Sequence, residues 1–473
     1  MAVYDRLAAL DRVFLDVEGP STHMHVAGVF LFEGAPFRQP EGGIDIERVR
    51  RYVASRLHLI PRYRQRIARI PIENHPVWID DERFNVEYHV RHTCLPTPGD
   101  DRQLKRLCGR IISQQLDRGK PLWEMWIVEG LEHDRVALVS KVHHCMVDGV
   151  SGVDLLQVLL SPTPDKEFDP PPAWYPNAAP SSARLLRDAI VRRVEMPLAV
   201  LRAVGGALRE PELTLERVRD TASGLVAGVR STLTQAADTP INQPIGPHRR
   251  FDWIGFDIDE VRRVKRVLGG TVNDVVLATV SGAMGRFLAQ RGVPPHHIAE
   301  MDFRAFCPVS VRTAAERGTL GNRVSALIAR LPIAERSPGK RFSRVVEVMG
   351  DLKRSRQALS GSMLTSVSEW TAPTLFSAAA RLANGYRAAN VVVTNVPGPR
   401  IPLYLLGARM TESYPIVPLT ANQCLGIALF SYGGGLYWGF NADWDALPDL
   451  HAFVVAIDAS FRELCDAADA LSE

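Results

Sequence analysis

Between Ser161 and Ser182 the chain carries Pro162, Pro164, Pro170, Pro171, Pro172, Pro176 and Pro180. Each proline fixes φ and lacks a backbone N–H, so no continuous helix or sheet strand can run through this stretch. The 473-residue chain is therefore divided, and each side is long enough for a domain, which typically takes about 100 to 200 residues. From Ala183 to about Ala236 the sequence turns helical in character, rich in Ala, Leu, Val and Arg, before a second proline-marked turn at Asn242–His248 (NQPIGPH). After Arg249, short apolar runs such as Asn390–Thr394 and Cys424–Ser431 alternate with longer helical stretches. The expected organisation is an N-terminal domain over 1–160, a proline-rich linker and helical crossover over 161–245, and a C-terminal domain over 246–473.

Hydrophobic residues at 46% and charged residues at 23% are globular values and exclude a disordered chain. The net charge of +3 is too small over this length to announce a nucleic-acid binder or a polybasic anchor. Met1–Pro20 mixes Asp5, Arg6, Asp11, Arg12, Asp16 and Glu18 among its apolar residues, unlike a secretory signal. No stretch approaches the roughly 18 consecutive apolar residues of a membrane span. Cys94, Cys108, Cys145, Cys307, Cys424 and Cys465 form no C-x-x-C pair, which argues against a zinc cluster or disulfide framework and fits reducing cytosol.

Trp123–Leu131 and Arg135–His143 read as two strands joined by Glu132, His133 and Asp134, an antiparallel hairpin. Its second strand runs into KVHHCMVDGVSG, where His143, His144, Asp148 and Gly149 form H-H-x-x-x-D-G. Val153, Leu156, Leu159 and Leu160 then recur at helical spacing, which puts the motif at a strand-to-helix junction. If strand geometry persists through them, His143 and His144 point to opposite faces, so one of them reaches a shared reaction site and a metal site is disfavoured. A neutral histidine accepts a proton near neutral pH and can activate an alcohol, amine or water. Asp148 fits either an orienting role for the imidazole or a cap on the following helix that meets an arginine, with Gly149 permitting the turn. G-V-S-G is not a nucleophile elbow, and Cys145 reads as a buried thiol, so the histidine implies direct transfer without a protein nucleophile. Gly433, Gly434 and Gly435 read as a tight hairpin turn rather than a phosphate loop.

The chain resembles the bacterial bifunctional wax ester synthase/diacylglycerol acyltransferase family, itself similar in active-site motif to chloramphenicol acetyltransferases and nonribosomal peptide condensation domains. The resemblance runs through Asp11–Val26 (DRVFLDVEGPSTHMHV), Pro121-Leu122-Trp123, HHCMVDG, Asn242–Phe251 (NQPIGPHRRF), Thr271–Leu277 (TVNDVVL), Pro308–Arg312 (PVSVR), Gly321-Asn322-Arg323 and Asn395–Pro399 (NVPGP). It implies an α/β (α+β) fold of two chloramphenicol-acetyltransferase-like domains, with mixed sheets, packed helices and an active-site channel between them. It also implies that His144 is the general base, that Asp148 is mainly structural and that Arg312 is its candidate partner. The N-D pair falls on Asn273, which fits a substrate or oxyanion hydrogen bond as well as a helix cap, and on Asp274, a structural support. Gly398 reads as shaping a turn.

The implied reaction moves a long-chain acyl group from acyl-CoA to the hydroxyl of diacylglycerol or of a long-chain alcohol, with no metal and no cofactor beyond the acyl-CoA cosubstrate. Two other readings use the same residues: acylation of a different alcohol or amine, and a catalytically silent lipid-binding paralogue. A cytoplasmic protein is expected, peripheral at the inner face of the plasma membrane or on lipid droplets. The stretch Ala183–Arg209 carries Arg184, Arg187, Arg192, Arg193, Arg202 and Arg209 against Asp188 and Glu195 among apolar residues. It fits either a helix lying on an anionic membrane or an interdomain helix with a solvated basic face.

Overall fold

A computed structural model describes residues 4–146, 158–192, 235–310, 324–357 and 387–472. In chain order the strands are β1 (Asp5–Arg6), β2 (His25–Glu33), β3 (Gln65–Arg69), β4 (Pro76–Asp80), β5 (Val90–Cys94), β6 (Trp123–Leu131), β7 (Arg135–His143), β8 (Arg249–Asp257), β9 (Arg304–Ser310), β10 (Val324–Arg330), β11 (Val391–Pro397), β12 (Tyr404–Leu405), β13 (Ala408–Ile416), β14 (Leu425–Tyr432) and β15 (Gly435–Asp443). The helices are α1 (Ala9–Val17), α2 (Ile46–Arg56), α3 (Val86–His89), α4 (Asp101–Ile112), α5 (Ile258–Leu268), α6 (Val272–Gln290), α7 (Pro295–Glu300), α8 (Pro338–Gln357) and α9 (Leu450–Ser472).

Two six-stranded mixed sheets organise these elements, in the orders β12-β13-β2-β7-β6-β5 and β10-β9-β11-β14-β15-β8. The first is antiparallel except at β5–β6, and the second is parallel across β9–β11–β14. HVAGVFLFE in β2 is almost continuously apolar, as a strand buried on both faces must be. In β7 the alternation sorts Val136, Leu138 and Val142 to one core and Ala137 and Val139 to the other. The expected hairpin is present, with β6 and β7 joined by a tight turn over Glu132–Asp134. Gly433 and Gly434, at φ 53° and 98°, form the β14–β15 turn, a backbone conformation that glycine adopts without strain.

The linear division needs two amendments. Tyr404–Ile416 lies in the C-terminal part of the chain, yet β13 pairs with β2 from Met410↔Phe32 to Ile416↔Ala27 and so completes the first sheet. The proline-rich stretch is not a free connector either. Phe168 packs edge-on against Tyr52, Trp174 against Phe84, and Asn177 N–H and Nδ2 both donate to Asp80 Oδ2, at 2.9 and 2.8 Å. At its start Ser161 bridges Tyr404 of β12 through two backbone hydrogen bonds, at 2.9 and 2.8 Å, and beyond it aromatic anchors hold the segment to the first domain.

The second core is built around α6, whose side chains are buried on almost every side. Gly285 lets Ile333 O approach where a Cβ would sit at 2.1 Å, and Gly282 makes room for Ser460 and the buried Arg341. None of the described helices is by itself long and apolar enough to cross a membrane.

Candidate active site

The end of β7 is held from both sides. His143 N–H donates to Leu122 O at 2.9 Å, and His144 N–H to Met24 O at 2.8 Å. The Pro121-Leu122-Trp123 segment thus fixes one flank of the histidine pair, and Trp123 is itself anchored by Nε1–H to Tyr63 O at 2.8 Å. The strand does not persist through the pair: it stops at His143, and His144–Met146 form a single 3-10 turn. The two rings part for that reason rather than by pleat alternation.

His143 is 1% exposed and faces inward. Its Nδ1 accepts the Cys145 N–H at 3.1 Å, and its Nε2 lies 3.6 Å from Glu18 Oε2. The sequence makes His143 a catalytic candidate; its Nδ1 is taken up by the turn, and its Nε2 faces Glu18 without a hydrogen bond among the described residues. His144 instead stacks on Phe14 of α1, with ring centroids 3.9 Å apart and planes 19° from parallel. Burial pushes the His144 pKa down to about 4, opposed by its own backbone carbonyl and reinforced by His143. The ring is therefore neutral, with a lone pair available, across physiological pH.

Around the pair lies a polar cluster, two of whose members, Glu18 and His25, fall in the Asp11–Val26 stretch. His25 pairs in register with His143 across β2–β7, and its Nε2 is 3.3 Å from Glu18 Oε1. Arg118 donates to Glu18 Oε2 from Nε at 2.9 Å and Nη2 at 2.6 Å. Two residues before His143, the fully buried Lys141 caps α4 by donating to Ile111 O and Gln114 O, both at 2.8 Å, and pairs with the buried Glu124. The available signal was Glu18-x6-His25, an acid and a histidine entering a strand too apolar to tolerate them unpaired.

Arg249, in the NQPIGPHRRF motif, ties this region to the second sheet. Its backbone N–H donates to Ser113 Oγ at 2.8 Å beyond the end of α4, its guanidinium reaches Ser21 O, and Asp443 is its counter-ion at 3.8 Å. Gly109 on α4 allows this approach, since a Cβ there would lie 2.9 Å from Arg249 O.

Asp148, Gly149 and Arg312 lie outside the described residues, as do Val153, Leu156 and Gly321–Arg323. Asn273 and Asp274 open α6. Thr271 is the N-cap, and Asp274 Oδ2 accepts from Thr271 N–H at 2.8 Å and Oγ1–H at 2.7 Å, a reciprocal capping box. The cap role weighed for Asn273 thus belongs to Thr271 and Asp274. Among the described residues no hydrogen bond or ion pair links Asn273 to the histidine turn. Gly398 is a close-packing position, where a Cβ would meet Ser431 O at 2.3 Å. Surface hollows of about 410 and 350 Å³ lie beside α5 and α8 and beside α7 and β10, and neither is lined by His144 or Asn273.

The wax ester synthase/diacylglycerol acyltransferase catalytic domain matches residues 7–276, and the C-terminal domain of the same family matches residues 320–465. A Mycobacterium tuberculosis protein named as a diacylglycerol O-acyltransferase is 32% identical, over 99% of this chain and 91% of its own length. Another from that organism, named tgs1, is 30% identical over 97% and 96%. Among solved structures, the wax ester synthase/diacylglycerol acyltransferase of Marinobacter aquaeolei superposes with a TM-score of 0.69 at 27% identity, covering 98% of this chain and all of that one. The first condensation domain of the calcium-dependent antibiotic synthetase shares the fold, with a TM-score of 0.61 at 17% identity. The chain is an acyltransferase and belongs to the wax ester synthase/diacylglycerol acyltransferase family.

Proposed function

We propose that the protein transfers a long-chain acyl group from acyl-CoA to the hydroxyl of diacylglycerol, and to long-chain alcohols where these are present, with His144 as general base. The observation that carries this reading is the His144 turn: a neutral imidazole at a strand end, held through Met24 and stacked on Phe14, while the Nδ1 of its neighbour is taken up by the turn. His144 Nε2 takes the acceptor's hydroxyl proton as its oxygen attacks the thioester carbonyl. The tetrahedral intermediate then expels CoA thiolate, and the imidazolium returns the proton to sulfur. Asn273 and backbone N–H groups near Gly149 are the proposed donors to the oxyanion, Asp148 and Arg312 the proposed support, and a channel between the domains the proposed route for two long substrates. The thioester is already activated and the base is a side chain, so acyl-CoA serves as cosubstrate and no further cofactor is invoked.

Turnover of labelled palmitoyl-CoA with diacylglycerol and with hexadecanol tests this, wild type beside His144→Ala. The expected result is a loss of about 100- to 10,000-fold in kcat, the usual worth of a general base. Undiminished turnover in the variant would sink the reading, and the product ratio fixes the preferred acceptor.

The substrates are lipids, and we place the enzyme in the cytoplasm, in peripheral contact with a membrane or lipid droplet. The helix at 182–192 supports this in part: Leu185 and Ala189 dock on the β1-β4-β3 sheet, leaving Ile190 and Val191 exposed beside Arg187. Arg184, Arg187 and Arg192 exchanged together for Gln should weaken binding to phosphatidylserine vesicles, each charge being worth about 1 kcal/mol near such a surface. Equal binding would remove the basis for that contact.

A further inference from the structure

The polar cluster behind the histidine turn has a direction. Glu18 is 4% exposed and follows α1, the helix whose Phe14 supports His144. Arg118 grips Glu18 Oε2 with two nitrogens and donates again to Leu15 O at 3.0 Å, tying the carboxylate to α1. Burial by itself would raise the Glu18 pKa, but His143, His25 and Arg118 outweigh it and hold the carboxyl far below the usual range. A buried anion is thus maintained against the first of the two motif histidines.

That anion matters because the Cys145 N–H donates to His143 Nδ1 at 3.1 Å. An accepting Nδ1 is unprotonated, so the neutral ring carries its proton on Nε2, the atom facing Glu18 at 3.6 Å. A carboxylate on that side favours this tautomer. The other tautomer would set two donors against each other at Cys145 and release the backbone of the turn that presents His144. His25 Nε2 accepts the Leu116 N–H at 3.4 Å and stands 3.3 Å from Glu18 Oε1.

We propose that Arg118, Glu18 and His143 form a positioning chain in which the carboxylate fixes the His143 tautomer that closes the His144 turn. The chain rests on the reading of His144 as base, and its members act through that residue rather than on the substrate. The substitution Glu18→Gln keeps the side-chain shape but removes the charge that selects the tautomer, so the loss falls on kcat and not on substrate binding. Asn in place of His143 keeps an acceptor near the Nδ1 position and has no tautomer to choose.

The test uses the full-length enzyme with palmitoyl-CoA and diacylglycerol, comparing Glu18→Gln, Arg118→Gln, His143→Asn, Glu18→Gln/His143→Asn and His144→Ala. Glu18→Gln should lower kcat about 10- to 100-fold with KM for both substrates within about twofold, as expected when a base is displaced by about 1 Å. Arg118 is 42% exposed, so Arg118→Gln removes the grip at less cost to folding and should lower kcat by a smaller factor. In the His143→Asn background, Glu18→Gln should have no further effect on kcat. Wild-type kcat in Glu18→Gln, a loss confined to KM, or a full additional loss in the double variant each overturns the proposal. If Glu18→Gln does not fold, wild-type kcat in Arg118→Gln overturns it. An inactive His144→Ala beside a fully active Glu18→Gln rejects this chain alone, whereas an active His144→Ala rejects the base reading beneath it.

Discussion

The β6–β7 and β14–β15 hairpins each deliver a nine-residue second strand into a six-stranded sheet, and the two strands end differently. At the end of β15, Asp443 is fully used. Its Oδ2 accepts Gly246 N–H at 2.7 Å, its Oδ1 accepts Asp445 and Ala446 N–H at 3.1 and 2.9 Å, and it balances the buried Arg249. At the end of β7, buried Glu18 Oε1, His25 Nδ1, His143 Nε2 and His144 Nδ1 find no hydrogen bond of good geometry among the described residues. Buried polar atoms are nearly always satisfied, and these exceptions gather around the histidine turn, whereas on β15 they are Trp438 Nε1 and Asn441 Oδ1, upstream of the satisfied Asp443. The same fold unit ends once in a structural carboxylate and once in the histidine turn proposed to hold the base.

The two strand ends should respond oppositely to truncation. His144→Ala should remove activity by the large factor given above and leave the melting temperature within a few degrees. Asp443→Ala should do the reverse. It strands the 3%-exposed Arg249 guanidinium without its counter-ion, a change that typically costs about 3 to 5 kcal/mol, while chemistry in the surviving folded fraction stays near wild type. Urea denaturation with parallel initial rates separates the two, and a stable but inactive Asp443→Ala protein would show that the β15 end belongs to the active site.

How much of this was legible beforehand follows from the range of the forces involved. The β6–β7 hairpin and the Gly433–Gly435 turn were readable because turn residues and strand periodicity are local. That β13 joins β2 was not, because ARMTESYPI is an ordinary strand whose partner lies nearly 400 residues earlier and is chosen by packing. His144 is legible as a candidate because its motif is local. Glu18, His25 and Arg118 were not singled out, since a buried acid and its cation only declare themselves once the fold places residues 18 and 118 together. For Asn273 the local context fits a cap and an oxyanion donor equally, and the structure assigns the cap to Thr271.

Acid should sharpen the contrast next. Burial lowers the pKa of His144 and His89 to about 4 and that of His25 to about 3, from 6.5. Between those values the unfolded chain binds protons that the native one refuses, so stability is fully present above pH 6.5 and is lost as pH falls towards 4 and 3. Glu18, also lowered, adds to the loss once pH drops below 4.5. Two of these histidines and Glu18 stand at the β7 end, so melting temperature against pH should fall steeply from pH 6.5 in wild type, and more gently when His25 is replaced by Gln. An identical slope would mean that the buried histidines are not what acid attacks.

The smallest effect is the most specific to the base. Phe14 covers one face of the His144 ring, so part of the desolvation that keeps the imidazole neutral comes from this single side chain. Phe14→Ala opens that face to water, which stabilises the imidazolium and moves the His144 pKa from about 4 back towards 6.5. A general base must be unprotonated to work, so the acid limb of the kcat profile should move up in pH by about one unit, with rates at pH 8 reduced only by the looser hold on the ring. Asp443 has no part in the His144 shift, so Asp443→Ala should leave that limb where it is. If Phe14→Ala lowers kcat equally at every pH, the aromatic ring positions His144 without setting its proton affinity, and the low pKa must come from the walls of the turn itself.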